Sequence, residues 1–490
     1  MQITRRRLLQ SMALASSGGL LNVARQALAA ETVEGYRPDL MPSRKMVWDW
    51  QLWMARLGPK FTGNKAHVAF IEFLDTGLKK AGLEVSRESY TFTRWYATRY
   101  ELKVIDELGR PQQVPVAFYY PYSGETPNDG VTGELAYGGT TISPEVPADL
   151  FGKILYMEVP VQRMAFRERY RLLGVYDKGT EFPASRTAPF ASTADSPPNL
   201  EGFKKAGALG VVFGWTDISD ENAAAQYYPF SRPLQGLPAL WVGPNSGARL
   251  RALAQTRAKA TLVLEAGLFP GTRTDTLIAT LPGSSTSDEV LIINTHTDGT
   301  NATEENGGLG LLALAKYFAQ LPISSRKRTL VFFFTTGHFA RAYVGMNGFL
   351  ENHPEVVHKA VGALSIEHLG CREWKDDASM KYRATGKDEL SLVLTNSNRV
   401  SDVMLASVKG TSDRRVAVVQ ANEYFIGEGR FPARAGIPTI GYIPLPDYLL
   451  AAPPDGCIRK LSPSLMYGQI QALAKVVHVM DGLPAAALKS

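Results

Sequence analysis

The chain has 490 residues, a formal net charge of +6, and hydrophobic and charged fractions of 45% and 20%. Those fractions exclude a disordered or low-complexity polymer, and the length exceeds one ordinary domain, so two or three packed units are expected. After the amino-terminal segment no stretch is apolar for long enough to span a bilayer.

The first thirty residues carry Thr4, Arg5, Arg6, Arg7, Leu8, Leu9 and Gln10, then a mildly apolar stretch, then Ala27, Leu28, Ala29 and Ala30. A basic start, a short apolar middle and small residues at the end are the layout of a removable targeting segment. This one resembles a twin-arginine export signal cleaved after Ala29, which implies passage through the twin-arginine machinery and a periplasmic or secreted mature protein. Cleavage removes Arg5, Arg6, Arg7 and Arg25 with no acidic residue, so the net charge falls from +6 to +2. The basicity belongs largely to the address, and no nucleic-acid or anionic-membrane partner is inferred.

Val68, Phe70, Ile71, Leu74 and Leu78 recur at helical spacing, and the Ala81, Gly82 step leads into a strand-like run at 84–92. A boundary rich in Pro and Gly at 120–130 precedes β-type runs at 133–137 and 153–159. Residues 200–215 read as a helix, a turn at Ala206, Gly207 and Ala208, and a buried strand. Strand 237–242, helix 245–255 and strand 260–265 follow. From Thr276 onward the alternation is that of an α/β sheet: strands at 277–281, 290–294, 329–335 and 361–366, with helices at 309–320 and 463–479.

In open α/β sheets ligands gather beyond the carboxyl ends of the strands. His296 and Asp298 follow the strand at 290–294, Glu305 opens the next helix, and Glu367 follows the strand at 361–366. An imidazole with carboxylates is a zinc-compatible set, assembled here from separate loops because no H-E-x-x-H helix is present. Glu304 competes with Glu305, its plainer role being negative charge at a helix amino terminus.

The run Leu281, Pro282, Gly283 to 293, then Thr295, His296, Thr297, Asp298 and Gly299, resembles the entry to the catalytic domain of the dizinc aminopeptidases of metallopeptidase family 28. The likeness continues through Glu305, Asn306, Gly307, Gly308, strand 328–335, the loop from Gly337, Glu367, and Ala435, Gly436, Ile437 and Pro438. That family shares its fold with glutamate carboxypeptidase and the transferrin receptor ectodomain. The span 131–266 is similar to a protease-associated domain. The resemblance implies an α/β fold with a phosphorylase/hydrolase-like mixed sheet flanked by helices and a β-rich insert. It divides the chain into an export signal at 1–29, an amino-terminal part of the peptidase-like domain at 30–130, the insert at 131–266 and a catalytic-like domain at 267–490.

It further implies His296 and Glu367 on a first zinc, Glu305 between two zincs, and the Asp298 carboxylate orienting His296. Two of these matches are Glu where the family has Asp. Larger departures follow. The family carries a Glu-Glu pair after the buried strand and its glycine, whereas here Gly337 is followed by His338 and Phe339. The family's last ligand, a histidine after a tyrosine, falls within Asp447, Tyr448, Leu449 and Leu450. The second metal thereby loses both of its private ligands, leaving one zinc in an active protein and none in an inactive one. His338 stands where the general base belongs; it can accept a proton, bind the metal or merely pack.

The implied function is hydrolysis of peptide or amino-acyl amide bonds; the alternative is a catalytically inactive peptidase fold used in binding or recognition. His368 is expected to pack, because neighbours on a strand face opposite sides. Glu428 and Asp447 are expected at the surface, and His67, His353, His358 and His478 in structural roles. Whether Cys371 pairs with Cys457 is open.

Overall fold

The computed structural model describes residues 33–105, 109–177, 179–191, 200–286, 288–340, 345–421 and 424–489. The expected export signal lies outside them. The first half of the chain supplies strands β1 (Glu84–Ile105), β2 (Pro111–Val114), β3 (Phe118–Tyr119), β4 (Val131–Thr140), β5 (Lys153–Pro160), β6 (Arg171–Tyr176), β7 (Gly210–Thr216) and β8 (Ala239–Val242). The second half supplies β9 (Lys259–Leu281), β10 (Val290–His296), β11 (Thr329–Thr335), β12 (Ala360–Ile366), β13 (Ser391–Thr395), β14 (Val416–Gln420) and β15 (Thr439–Tyr442). They form one mixed sheet in the order β3-β8-β7-β5-β4-β9-β11-β10-β12-β15-β13-β14-β6, with β1 laid along β9 and β2 along β1.

At the centre β11, β10, β12 and β15 run parallel. Each reads as an almost unbroken apolar run because both faces are covered. One face carries helices α1 (Arg44–Arg56), α2 (Lys65–Lys80), α4 (Gly307–Gln320) and α6 (Pro463–Gly482), while α3 (Pro244–Gln255) serves the first-half strands and α5 (Asn398–Ser407) packs beside α6. Leu74 and Leu78 of α2, Leu312 of α4 and Leu473 of α6 share a core with Leu291, Ile293 and Phe332. Helix α4 is buried almost all round, which suits its Leu- and Ala-rich sequence.

The fold class expected from the sequence, a mixed α/β sheet flanked by helices, is what the chain adopts. Two differences are informative. The strands read at 260–265 and 277–281 are one continuous strand, β9, because the residues between them pair with β1 from Tyr96↔Gly267 to Glu88↔Thr276. Much of that ribbon is exposed, so the hydrophobic alternation that marks a strand is silent there. Within the span 131–266, β6 leaves its sequence neighbours and pairs with β14 at the far edge of the sheet. Arg186, further along the same excursion, is held by Glu389 and Asp447 at 2.6 and 2.8 Å. Cys371 and Cys457 are both buried and unpaired with each other.

Candidate metal centre

Because β10, β11 and β12 are parallel and in register, their carboxyl ends meet at one rim of the sheet. His296 ends β10, His338 lies three residues past Thr335 of β11, and Glu367 and His368 follow Ile366 of β12. Helix α4 starts at the same rim, so Glu304 and Glu305 arrive just ahead of its first turn. Its close seating needs a glycine: a Cβ on Gly307 would collide with the Ile366 carbonyl and the Thr295 hydroxyl.

Three imidazoles and three carboxylates converge. His296 Nε2 is 3.5 Å from Glu367 Oε2, and His368 Nε2 is 3.1 Å from Glu304 Oε2 and 3.9 Å from Glu367 Oε2. His338 places Nε2 3.8 Å from Glu304 Oε1 and Nδ1 3.3 Å from Glu428 Oε1. Its ring stacks on His296 with centroids 4.2 Å apart. One ligand atom each from His296, Glu304 and His368 lies within 4.8 Å of the others.

The protonation pattern follows from the second nitrogen of each ring. His296 Nδ1 donates to the Asp298 carbonyl at 2.8 Å, and His368 Nδ1 donates to the Pro444 carbonyl at 2.7 Å. A carbonyl only accepts, so both Nδ1 atoms carry the hydrogen, and in the neutral ring each Nε2 turns a lone pair inward. There they face carboxylate oxygens, and His296 Nε2, His368 Nε2 and Glu304 Oε2 are buried without a hydrogen-bond partner. Lone pairs converging on lone pairs in a buried pocket call for a cation. With protons as the only cations, burial works against a charged His296, yet Glu367, Glu304 and Glu428 overcome it and push its pKa up to about 10. Burial likewise opposes ionised Glu367, but His296, His368 and His338 hold it down to about 2. The donor set is nitrogen and oxygen, compatible with zinc.

The structure sorts the expected residues. His296 and Glu367 are in the cluster, and His338 lies over it. Glu304, not Glu305, lies in ion-pair distance of the imidazoles; Glu305 Oε1 is 2.5 Å from Lys60 Nζ, and both Glu305 carboxylate oxygens are buried without a hydrogen-bond partner. Asp298 supports His296 through its backbone carbonyl, not its carboxylate. The carboxylate oxygen Oδ2 accepts instead from Thr62 Oγ1 at 2.5 Å and from the Phe339 N–H at 2.9 Å. His368 does not pack away, because it takes a left-handed conformation with φ of 59°. That turn ends the strand alternation and lets consecutive residues 367 and 368 face one centre.

Glu428 and Asp447 are buried rather than at the surface. Glu428 accepts from Thr335 Oγ1 at 3.3 Å and donates its own N–H to Glu367 Oε1 at 2.8 Å. The latter contact requires Gly427, which has φ of 69° and whose Cβ would strike the Glu367 carboxylate. Asp447 belongs to the Arg186 pair. Phe339 and Leu449, where the second metal's ligands were missed, lie in an apolar cluster with Tyr227 and Ile443.

Lys60 and Glu428 carry no sequence signal of their own. Lys60 reaches the centre because it pairs with Gly299 backbone to backbone in both directions, at 2.8 and 3.0 Å. The signal that could have found Glu304 was the ambiguity of the helix start.

Among solved structures, the chain is similar to an M28 peptidase precursor from Shewanella amazonensis, with a TM-score of 0.67 and 16% identity over 94% of this chain and 97% of that one. It is also similar to a zinc aminopeptidase from Bacillus subtilis, with a TM-score of 0.59 and 14% identity over 90% and 95%. An aminopeptidase from an Aneurinibacillus strain gives 0.55 and 16% over 89% and 93%. No protein-family model matches the sequence, and no curated protein does. At these identities the likeness shows the fold: the chain has the architecture of the M28-type zinc aminopeptidases, as the sequence led us to expect. No helix among the described residues is long and apolar enough to cross a membrane.

Proposed function

We propose that this peptidase-fold protein is an exported metal-dependent hydrolase of peptide or amino-acyl amide bonds, with one zinc ion held by His296, Glu304 and His368 and Glu367 beside them. The observation that carries the reading is the pair of imidazoles whose Nδ1 hydrogens are committed to carbonyls while their Nε2 lone pairs converge on carboxylates. Zinc at such a site supplies a Lewis acid that polarises a carbonyl and acidifies a water.

The remaining chemistry falls to the chain's own groups. His338 is the cluster member with an open side, its side chain 18% exposed against 4% or less for Glu304, Glu367, His368 and Glu428. With Nδ1–H directed at Glu428, its Nε2 is free to accept a proton from an attacking water. Glu428 holds that ring and is itself held by Thr335.

The test is zinc content of the protein recovered from the periplasm together with hydrolysis of amino-acyl amides. One zinc per chain, with activity abolished by His338→Ala and by chelation, supports the reading. A metal-free protein with an intact fold refutes it. A second reading, recognition without hydrolysis, draws on the apolar surroundings of Phe339 and Leu449; a zinc-loaded protein that binds peptides and never cleaves them selects it. Export is tested separately: replacing Arg5 and Arg6 with Lys should hold the protein in the cytoplasm.

A further inference from the structure

Next to the centre lies a cavity of about 350 Å³ walled by Phe61, Trp95, Tyr122, Tyr227 and Phe339. Two of its lining residues also build the centre: Thr62 and Phe339 are the donors that hold the Asp298 carboxylate. Phe230 bridges the two spaces, with ring centroids 5.2 Å from His338 and 5.5 Å from Phe339. The cavity therefore adjoins the one exposed group of the centre. Its volume suits a single large side chain.

The lining is mostly aromatic and aliphatic, with Thr62 and Thr93 among it. It contains two arginines, Arg94 and Arg232, and no acidic residue. Arg87 and Arg186 each engage at least two carboxylates. Among the described residues no carboxylate lies within ion-pair distance of Arg94, and its Nε is buried without a hydrogen-bond partner. The guanidinium sits instead over the rings of Tyr96 and Phe269, 5.1 and 5.3 Å from their centroids. Ring faces offset part of the desolvation of a cation, but they leave its hydrogen-bond donors unused. A guanidinium with open donors at the mouth of an aromatic pocket matches a carboxylate, whose two oxygens fit the planar fork.

Resting on the proposed hydrolytic centre, we infer that this cavity is the subsite for a substrate residue bearing a free α-carboxylate, with an aromatic or large apolar side chain among the rings and the carboxylate on Arg94. The substrate class is then a short peptide or N-acyl amino acid cut at its carboxy-terminal amide. In that reaction the C–N bond breaks, the oxygen of water joins the acyl carbon, and the amino acid leaves with the proton taken from that water. Discrimination between a terminal carboxylate and a terminal amide resides in Arg94.

The test is calorimetric binding of 3-phenylpropionate and of its uncharged analogue 3-phenylpropanol to the full-length mature protein. Wild type should prefer the carboxylate by at least about tenfold, the size of one charge-assisted hydrogen bond. Arg94→Met should erase that preference and leave alcohol binding unchanged, and Arg94→Lys, which keeps the charge and packs similarly, should retain part of it. The zinc-deficient His368→Ala variant should keep the preference, which separates this subsite from the metal reading. Equal binding of both probes by wild type, no binding of either, or a carboxylate preference that survives Arg94→Met would each overturn the proposal.

Discussion

Lys60 Nζ lies 2.5 Å from Glu305 Oε1, with only 1% and 0% of the two side chains exposed. Lys60 Nζ also donates to the carbonyls of Gly58 at 2.7 Å and Met54 at 3.3 Å. A lysine from the loop ahead of α2 thus faces the carboxylate to which the family resemblance gives a bridging role, although burial pushes the Lys60 pKa down to about 7. Removing one partner of a buried pair strands the other charge, whereas removing both does not. Lys60→Met should lower stability by about 3–5 kcal/mol, and Lys60→Met with Glu305→Met should recover most of that. Urea denaturation of the single and double variants measures it; equal losses in both would show that the pairing is immaterial.

Metal retention separates the two adjacent glutamates. Glu304→Gln and His368→Ala should each weaken zinc binding by more than the roughly 10- to 100-fold typical of losing a supporting partner. Glu305→Gln should leave the stoichiometry at one. Because a ligand bound only by the native state raises its stability, a chelator should lower the melting temperature of wild type and have little effect on His368→Ala. Competition with a colorimetric zinc chelator gives the affinities, and a zinc-binding loss in Glu305→Gln as large as in Glu304→Gln would reverse the assignment.

Phe339→Glu restores the residue type that the M28 resemblance expects without restoring its surroundings. Phe339 packs 5.7 Å from Tyr227 and 5.5 Å from Phe230, ring to ring, within an apolar cluster. The variant should lose on the order of 3–5 kcal/mol of stability, since a large buried ring is lost from its aromatic neighbours. Zinc should remain at one per chain, and two adjacent peaks in anomalous scattering would contradict the assignment of Phe339.

His67 should make stability fall in mild acid. Its Nδ1 accepts from the Gly63 N–H at 3.0 Å and its Nε2 lies 2.9 Å from Thr297 Oγ1, a fully buried neutral ring. Burial pushes its pKa down to about 4, against the opposing attraction of Asp298. Below pH 6.5 the unfolded chain takes up a proton that the folded chain refuses until about pH 4, so stability drops as pH falls through that window. The contribution is up to about 3 kcal/mol, and His67→Asn, which keeps an acceptor for Gly63 but does not titrate, should remove it. Denaturation midpoints at pH 7 and pH 4.5 compare the two proteins; parallel losses would exclude His67 as the source.

The sequence by itself determined the α/β alternation, the buried strands at 290–294, 329–335 and 361–366, and the placement of His296 and Glu367 at their ends. These follow from local rules: apolar runs of strand length, and polar residues where such runs stop. Only the tertiary structure set Glu304 beside the imidazoles and Glu305 beside Lys60, brought Lys60 and Glu428 to the centre, turned His368 inward and joined 260–265 to 277–281. Each of those depends on a partner distant along the chain or on one backbone angle, such as the positive φ at His368 or the register of β9 against β1. Periodicity reports which face of an element is buried; it is silent on which of two neighbouring carboxylates meets a cation, because that choice is made by whatever folds against them.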